Sequence, residues 1–183
     1  MTRHIVCTGG AGRLGQFVAR RLAPKCALTI VDLVKPQDEA LRAVPCINAD
    51  VRDLAALRAA FEGQDAVVHL AAIPNPRTAP ADVTFETNVQ GAWSVLQAAE
   101  EAGVRRVVVA SSDTVLGLSY NPPDWVPQFL PVDETHPVRP NEFYSLSKHV
   151  TETIAENFAA RGARQARGHR AAARTRRFPS GVS

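Results

Sequence analysis

Two short stretches of this sequence carry side chains that can move a proton. In Tyr144-Ser145-Leu146-Ser147-Lys148 the phenol and the ammonium stand four residues apart, so on a helix they share one face. An ammonium beside a phenol favours the phenolate, which predicts a lowered tyrosine pKa. A phenolate can take the proton of an alcohol while the alcohol's carbon gives up a hydride. Upstream, Ser111-Ser112 offers two hydroxyls, and Ser112 is expected to hydrogen-bond the reacting oxygen.

A hydride needs an acceptor, and the N-terminal residues supply a cradle for one. Cys7 to Gly15 reads CTGGAGRLG, after the apolar run His4-Ile5-Val6 and before a helical pattern from Arg13 to Leu22. Gly9, Gly12 and Gly15 have the Gly-x-x-Gly-x-x-Gly spacing of a dinucleotide-binding turn. The first allows a tight turn, the second a close pyrophosphate, the third close packing of helix on strand. The phosphates then sit at a helix N-terminus, where free N–H groups favour anions. Asp32 lies 20 residues past Gly12 at the end of a second strand, Ala27 to Val31. Its carboxylate suits the two ribose hydroxyls and repels a 2′-phosphate, which favours NAD over NADP.

The elements that position these groups alternate in type. Further strands are predicted at Val44 to Asn48, Ala66 to Leu70 and Arg106 to Ala110, the last wholly apolar after its arginines and so expected to be buried on both faces. Helices are predicted at Leu54 to Phe61 with Asp53 as N-cap, at about 81–102 ending at Gly103, and at 141–160. His69 inside the fourth strand reads as a satisfied core residue. The small pair Ala71-Ala72 leaves room for a cofactor ring. The alternation gives the α/β class: a Rossmann-like doubly wound parallel sheet of order 3-2-1-4-5.

Composition excludes several other classes. Apolar residues make up 45% and charged residues 21%, ordinary for a soluble globular domain. No run approaches the ~20 apolar residues needed to span a membrane, and the apolar run at the N-terminus is too short for a signal peptide. A cytoplasmic location is expected. Cys7, Cys26 and Cys46 have no metal spacing and read as buried reduced thiols. The net charge of +3 is uneven, because residues 161–183 hold seven arginines and no acid, leaving −4 on 1–160. That tail has no aromatic platform beyond Phe178, so nucleic acid is not an expected partner.

Seven segments together resemble the extended short-chain dehydrogenase/reductases, the NAD-dependent epimerase/dehydratase family. They are TGGAGRLG, Val31-Asp32, DVRD at 50–53, HLAA at 69–72, NVQG at 88–91, SSDTVLG at 111–117 and YSLSK at 144–148. The resemblance implies NAD as cofactor. Gly9, Gly12, Arg13, Leu14 and Gly15 would meet its pyrophosphate, Asp32 its ribose, and Asp50 and Val51 its adenine. Leu70, Ala71 and Ala72 would line it, Asn88 would support the site, and Lys148 would also hold the nicotinamide ribose. Ser112, Tyr144 and Lys148 would be catalytic, with Ser111 and Ser112 towards the substrate. A homodimer through helices 81–102 and 141–160 is a further implication. RLAP at 21–24 and the SSDT segment are similar to uronate dehydrogenases, which makes the hemiacetal carbon of a sugar acid a candidate. Nucleotide-sugar epimerases and dehydratases stay open by motif.

The match divides the chain into an NAD-binding domain, 1–160, and an Arg/Ala-rich irregular tail, 161–183. Members of the family continue for about a hundred residues more, which supply most of the substrate pocket. The abrupt change near 161 reads as a truncation or reading-frame change in a longer gene, composition unlike that of a folded segment. Two functions follow. One is an NAD-dependent oxidoreductase, epimerase or dehydratase acting on a sugar or nucleotide-sugar, with Tyr144 as base. The other is a non-catalytic dinucleotide-binding fragment.

Overall fold

Period-two burial along the strands builds the molecule from the inside. The computed structural model describes residues 2–165 apart from 121 and 123. Its strands are β1 (His4–Thr8), β2 (Ala27–Asp32), β3 (Cys46–Asn48), β4 (Ala66–His69) and β5 (Arg106–Val109). All pair in parallel, in the order β3-β2-β1-β4-β5. Val6 stands between Thr29 and Val67, and Val67 beside Val107. Alternate residues then feed two separate cores.

On one face Val6, Val31 and Val67 pack under α2 (Leu54–Phe61) and α4 (Gly91–Glu101), against Leu57, Phe61, Val95 and Ala99. On the other, Cys7, Leu28 and Ile30 pack under α1 (Arg13–Leu22) against Ala19 and Leu41. Asp53 caps α2 as its side chain accepts the Ala56 N–H at 3.0 Å, a contact worth about 1 kcal/mol. This is the doubly wound sheet that the alternation of elements predicts.

Several boundaries differ from expectation. The third strand starts at Cys46 rather than Val44. The helix expected over 81–102 is three pieces: α3 (Ala81–Phe85), a wide π turn at Glu86–Gln90, and α4. The last helix, α5 (Phe143–Gln165), starts later and continues five residues into the stretch read as irregular; the rest of that tail lies outside the described residues. β5 is not buried on both faces. It pairs only with β4 among the described residues, and Val108 is 55% exposed. Of the three free thiols only Cys7 is buried, while Cys26 and Cys46 are half-buried. No helix among the described residues is long and apolar enough to cross a membrane.

Candidate active site

The glycine turn is built by close approach. Gly9 has φ +73°, a left-handed conformation that glycine adopts without strain, and a Cβ there would run into the backbone of Leu70 and Ala71. A Cβ on Gly15 would overlap the Gly9 carbonyl oxygen. Gly10, outside the Gly-x-x-Gly-x-x-Gly spacing, is also constrained, though by a side chain rather than backbone: its Cβ would come within 2.8 Å of Ile30. Gly12 differs, since only the Gly9 oxygen, at 3.3 Å, lies near its Cβ position. Gly12 is the N-cap of α1 and supplies no side-chain cap, so the first turn at Arg13 and Leu14 presents its N–H groups to an anion. Leu14 is 56% exposed beside it. This cradle fits a dinucleotide pyrophosphate.

Asp32 closes the turn from β2. Its Oδ2 accepts the Ala11 N–H at 2.9 Å and its Oδ1 the Leu33 N–H at 2.7 Å. The carboxylate therefore shapes the loop and retains lone-pair capacity for a ribose hydroxyl. Asp50 is held by Arg52, whose Nη2 donates to Oδ2 at 2.7 Å, and this hydrogen-bonded pairing draws the Asp50 pKa below the usual carboxylate range. Val51 is buried against Gly91, where a Cβ would come within 2.8 Å of it.

Across the sheet, the ends of β4 and β5 meet α5. Asn88 sits in the π turn, 2% exposed. Its Oδ1 accepts the Ile73 N–H at 2.8 Å, and its Nδ2 donates to the Ile73 carbonyl at 3.1 Å and to Ser147 Oγ at 2.9 Å. Those contacts tie the loop after β4, with Leu70, Ala71 and Ala72, to the helix that carries Tyr144. Tyr144 and Lys148 are 7% and 5% exposed. The Ser112 hydroxyl lies near enough to bear on the Tyr144 phenol and itself donates to Asp113 Oδ1 at 3.3 Å. Ser112 Oγ also accepts from Thr114 N at 3.2 Å and Thr114 Oγ1 at 2.9 Å. Ser111 Oγ is buried without a hydrogen-bond partner among the described residues.

The electrostatics correct one expectation. The Tyr144 phenol is shifted up, not down: burial contributes most, Asp113, Glu142 and Tyr120 add to it, and the Ser112 hydroxyl only opposes it. Lys148 does not act on the phenol as foreseen, because its Nζ donates to the Ala110 carbonyl and burial lowers its own pKa to about 8. His69 is buried as expected, with Nδ1 at 2.7 Å from Thr8 Oγ1. Two positioning groups escaped the sequence reading. Glu142 caps the first turn of α5 and belongs to no recognisable spacing pattern; Ser147, which receives Asn88, lies inside the YSLSK segment, but its spacing there assigns it no role.

A glycine turn after the first of five parallel strands ordered 3-2-1-4-5 defines a Rossmann-like dinucleotide-binding domain. The chain belongs to the NAD dependent epimerase/dehydratase family, whose profile matches residues 5–172. It is 37% identical over 164 residues to the L-arabinose 1-dehydrogenase (NAD(P)(+)) of Haloferax volcanii, covering 86% of this chain and 62% of that protein. To the uronate dehydrogenase of Agrobacterium fabrum it is 30% identical over 156 residues, covering 85% and 56%. A short-chain dehydrogenase/reductase superfamily protein from Agrobacterium tumefaciens, solved with bound NAD, superposes with a TM-score of 0.73 at 35% identity, covering 85% of this chain and 44% of that one. The family is NAD-dependent, and the chain spans between two-fifths and two-thirds of the relatives it matches.

Proposed function

We propose that this chain carries the cofactor-binding and catalytic half of an NAD-dependent sugar oxidoreductase, with Tyr144 as general base. The observation that carries the reading is that the buried Tyr144 and Lys148 share one face of α5, with the half-buried Ser112 at the end of β5 acting on the same phenol. Gly9, Gly12, Arg13, Leu14 and Gly15 hold the pyrophosphate, Asp32 the ribose, and Asp50 and Val51 border the adenine. Leu70, Ala71 and Ala72 form the wall, which Asn88 fixes in place. NAD supplies the hydride acceptor. Ser112 orients the sugar hydroxyl, and its O–H proton passes to Tyr144 as the carbon–hydrogen bond is broken. Lys148 steadies the nicotinamide ribose, and the unpartnered Ser111 hydroxyl faces the sugar. The relatives named for oxidation of arabinose and uronate favour the hemiacetal carbon of a free sugar or sugar acid. The paired helices α3–α4 and α5 supply a homodimer face, and the free thiols support a cytoplasmic setting.

Thermal unfolding with and without NAD, with NADP as control, tests the binding half. Ligand at 100 times its dissociation constant adds about 2.7 kcal/mol. Tyr144→Phe is expected to keep that shift and to lose sugar-dependent NADH formation by about 10²-fold or more. Absence of any NAD shift overturns the reading. A second reading, dinucleotide binding without turnover, is supported by the open flank of β5, where Val108 is exposed next to the site; an NAD shift with no turnover on any aldose, uronate or nucleotide-sugar selects it.

A further inference from the structure

The first turn of α5 is closed by a carboxylate. Glu142 Oε1 accepts the Ser145 N–H at 2.7 Å, and Oε2 accepts the Tyr144 N–H. Ser145 answers: its hydroxyl donates to the Glu142 carbonyl at 2.9 Å and accepts the Glu142 N–H at 3.4 Å. Two of the orphan N–H groups of the helix start are thereby satisfied by one side chain. One of them belongs to Tyr144 itself, so the cap fixes the backbone from which the phenol projects. The negative charge of the same carboxylate also bears on that phenol.

We propose that Glu142 is a positioning residue for the Tyr144 phenol, setting its place through the helix cap, with its carboxylate charge acting on the same side chain. The inference rests on the reading of Tyr144 as the reacting phenol, but its test does not need turnover. The other groups bearing on the phenol are Asp113 in the turn after β5, Tyr120 in the following loop, and the Ser112 hydroxyl. Lys148, one turn further along α5, is directed at Ala110. Glu142 alone among them also holds the Tyr144 backbone.

Three substitutions separate the two roles. Glu142→Asp keeps a capping group and its charge, Glu142→Asn keeps a capping group without charge, and Glu142→Ala removes both. Only two tyrosines occur in the chain, Tyr120 and Tyr144. The full chain labelled with 13Cζ-tyrosine therefore gives two resonances, assigned with Tyr120→Phe and followed from pH 7 to 12. Glu142→Asp is expected to titrate like the wild type. Glu142→Asn and Glu142→Ala are expected to raise the Tyr144 phenolate fraction about threefold at a fixed pH. Amide exchange at Tyr144 and Ser145 is expected to quicken in Glu142→Ala only. If the Tyr144 titration and those two amides are the same in all four proteins, the proposal is overturned. Failure of the chain to oxidise any sugar would overturn the function proposed above and leave these readouts intact.

Discussion

His69, Lys148 and Tyr144 are polar groups taken out of water at the C-terminal ends of β4 and β5, and burial moves all three towards their neutral forms. His69 falls to about 3, driven first by burial and then by the nearby Lys148 charge. Its unfolded value is near 6.5. The unfolded chain thus binds a proton between pH 6.5 and 3 that the folded chain refuses, and stability falls as pH drops through that window. Between pH 6.5 and 5 this amounts to about 2 kcal/mol. Urea unfolding at the two pH values checks it: His69→Gln should lose most of the pH dependence, and an equal loss of stability in wild type and variant would contradict the assignment. Lys148 acts with the same sign in a higher pH window. Its folded value of about 8 lies below the ordinary 10.5, so stability rises as pH increases from 8 to 10.5. The identities of these side chains were legible, since Tyr144 and Lys148 announce themselves by spacing. Their protonation was not, because the ammonium's choice of the Ala110 carbonyl over the phenol depends on how α5 lies across β5. Glu142 was invisible for a related reason: Ser, Thr, Asp and Asn are the usual N-caps, and a glutamate two residues before a tyrosine carries no signal.

At the level of elements, the glycine turn was the most legible part because its demands are local. Each required glycine meets backbone or a buried side chain within the β1–turn–α1 unit, its β2 neighbour Ile30, or the end of β4. Gly15→Ala should therefore act on the element rather than on one contact. Its methyl collides with the Gly9 carbonyl, which pushes α1 away from the turn. The expected cost is about 1–3 kcal/mol of stability together with loss of the NAD-induced shift; chemical denaturation and the same thermal assay read both. A variant that melts like wild type and still responds to NAD would contradict the packing argument. The helix over 81–102 was legible only in part. Apolar periodicity at Val89, Trp93, Leu96 and Ala99 finds α4 and runs straight through the π turn, whose reason lies outside the helix: it aims Asn88 at Ile73 and Ser147 at once. β5 misleads in the other direction, since a run of valines looks the same whether one face is covered or two.

Across the whole molecule, the sheet has an edge strand at each side among the described residues, and the two edges differ in character. β3 is three residues long and ends on the exposed Asn48, whereas β5 presents Val108 on its face and lies beside an apolar cavity of about 110 Å³ bordered by Leu96, Val107, Val109, Ala155 and Phe158. An unpaired apolar strand is a template for another chain. The expected result is concentration-dependent self-association on sizing chromatography, reduced by Val108→Lys; a single sharp monomer peak for wild type at all loadings would count against it. The order of the strands could be worked out from alternation and crossover handedness alone, but this openness could not, because it depends on what stands beside β5 in space. The π turn at Glu86–Gln90 has a consequence for how the gene can vary. It holds one residue more than a regular helical turn, so losing any one of the five would leave a perfectly good α-helix. Every residue on one side of the loss would then be swung by about 100° relative to the other. The helix would survive while Asn88 parted from Ile73 or Ser147, so this segment is expected to accept changes of letter and to reject changes of count.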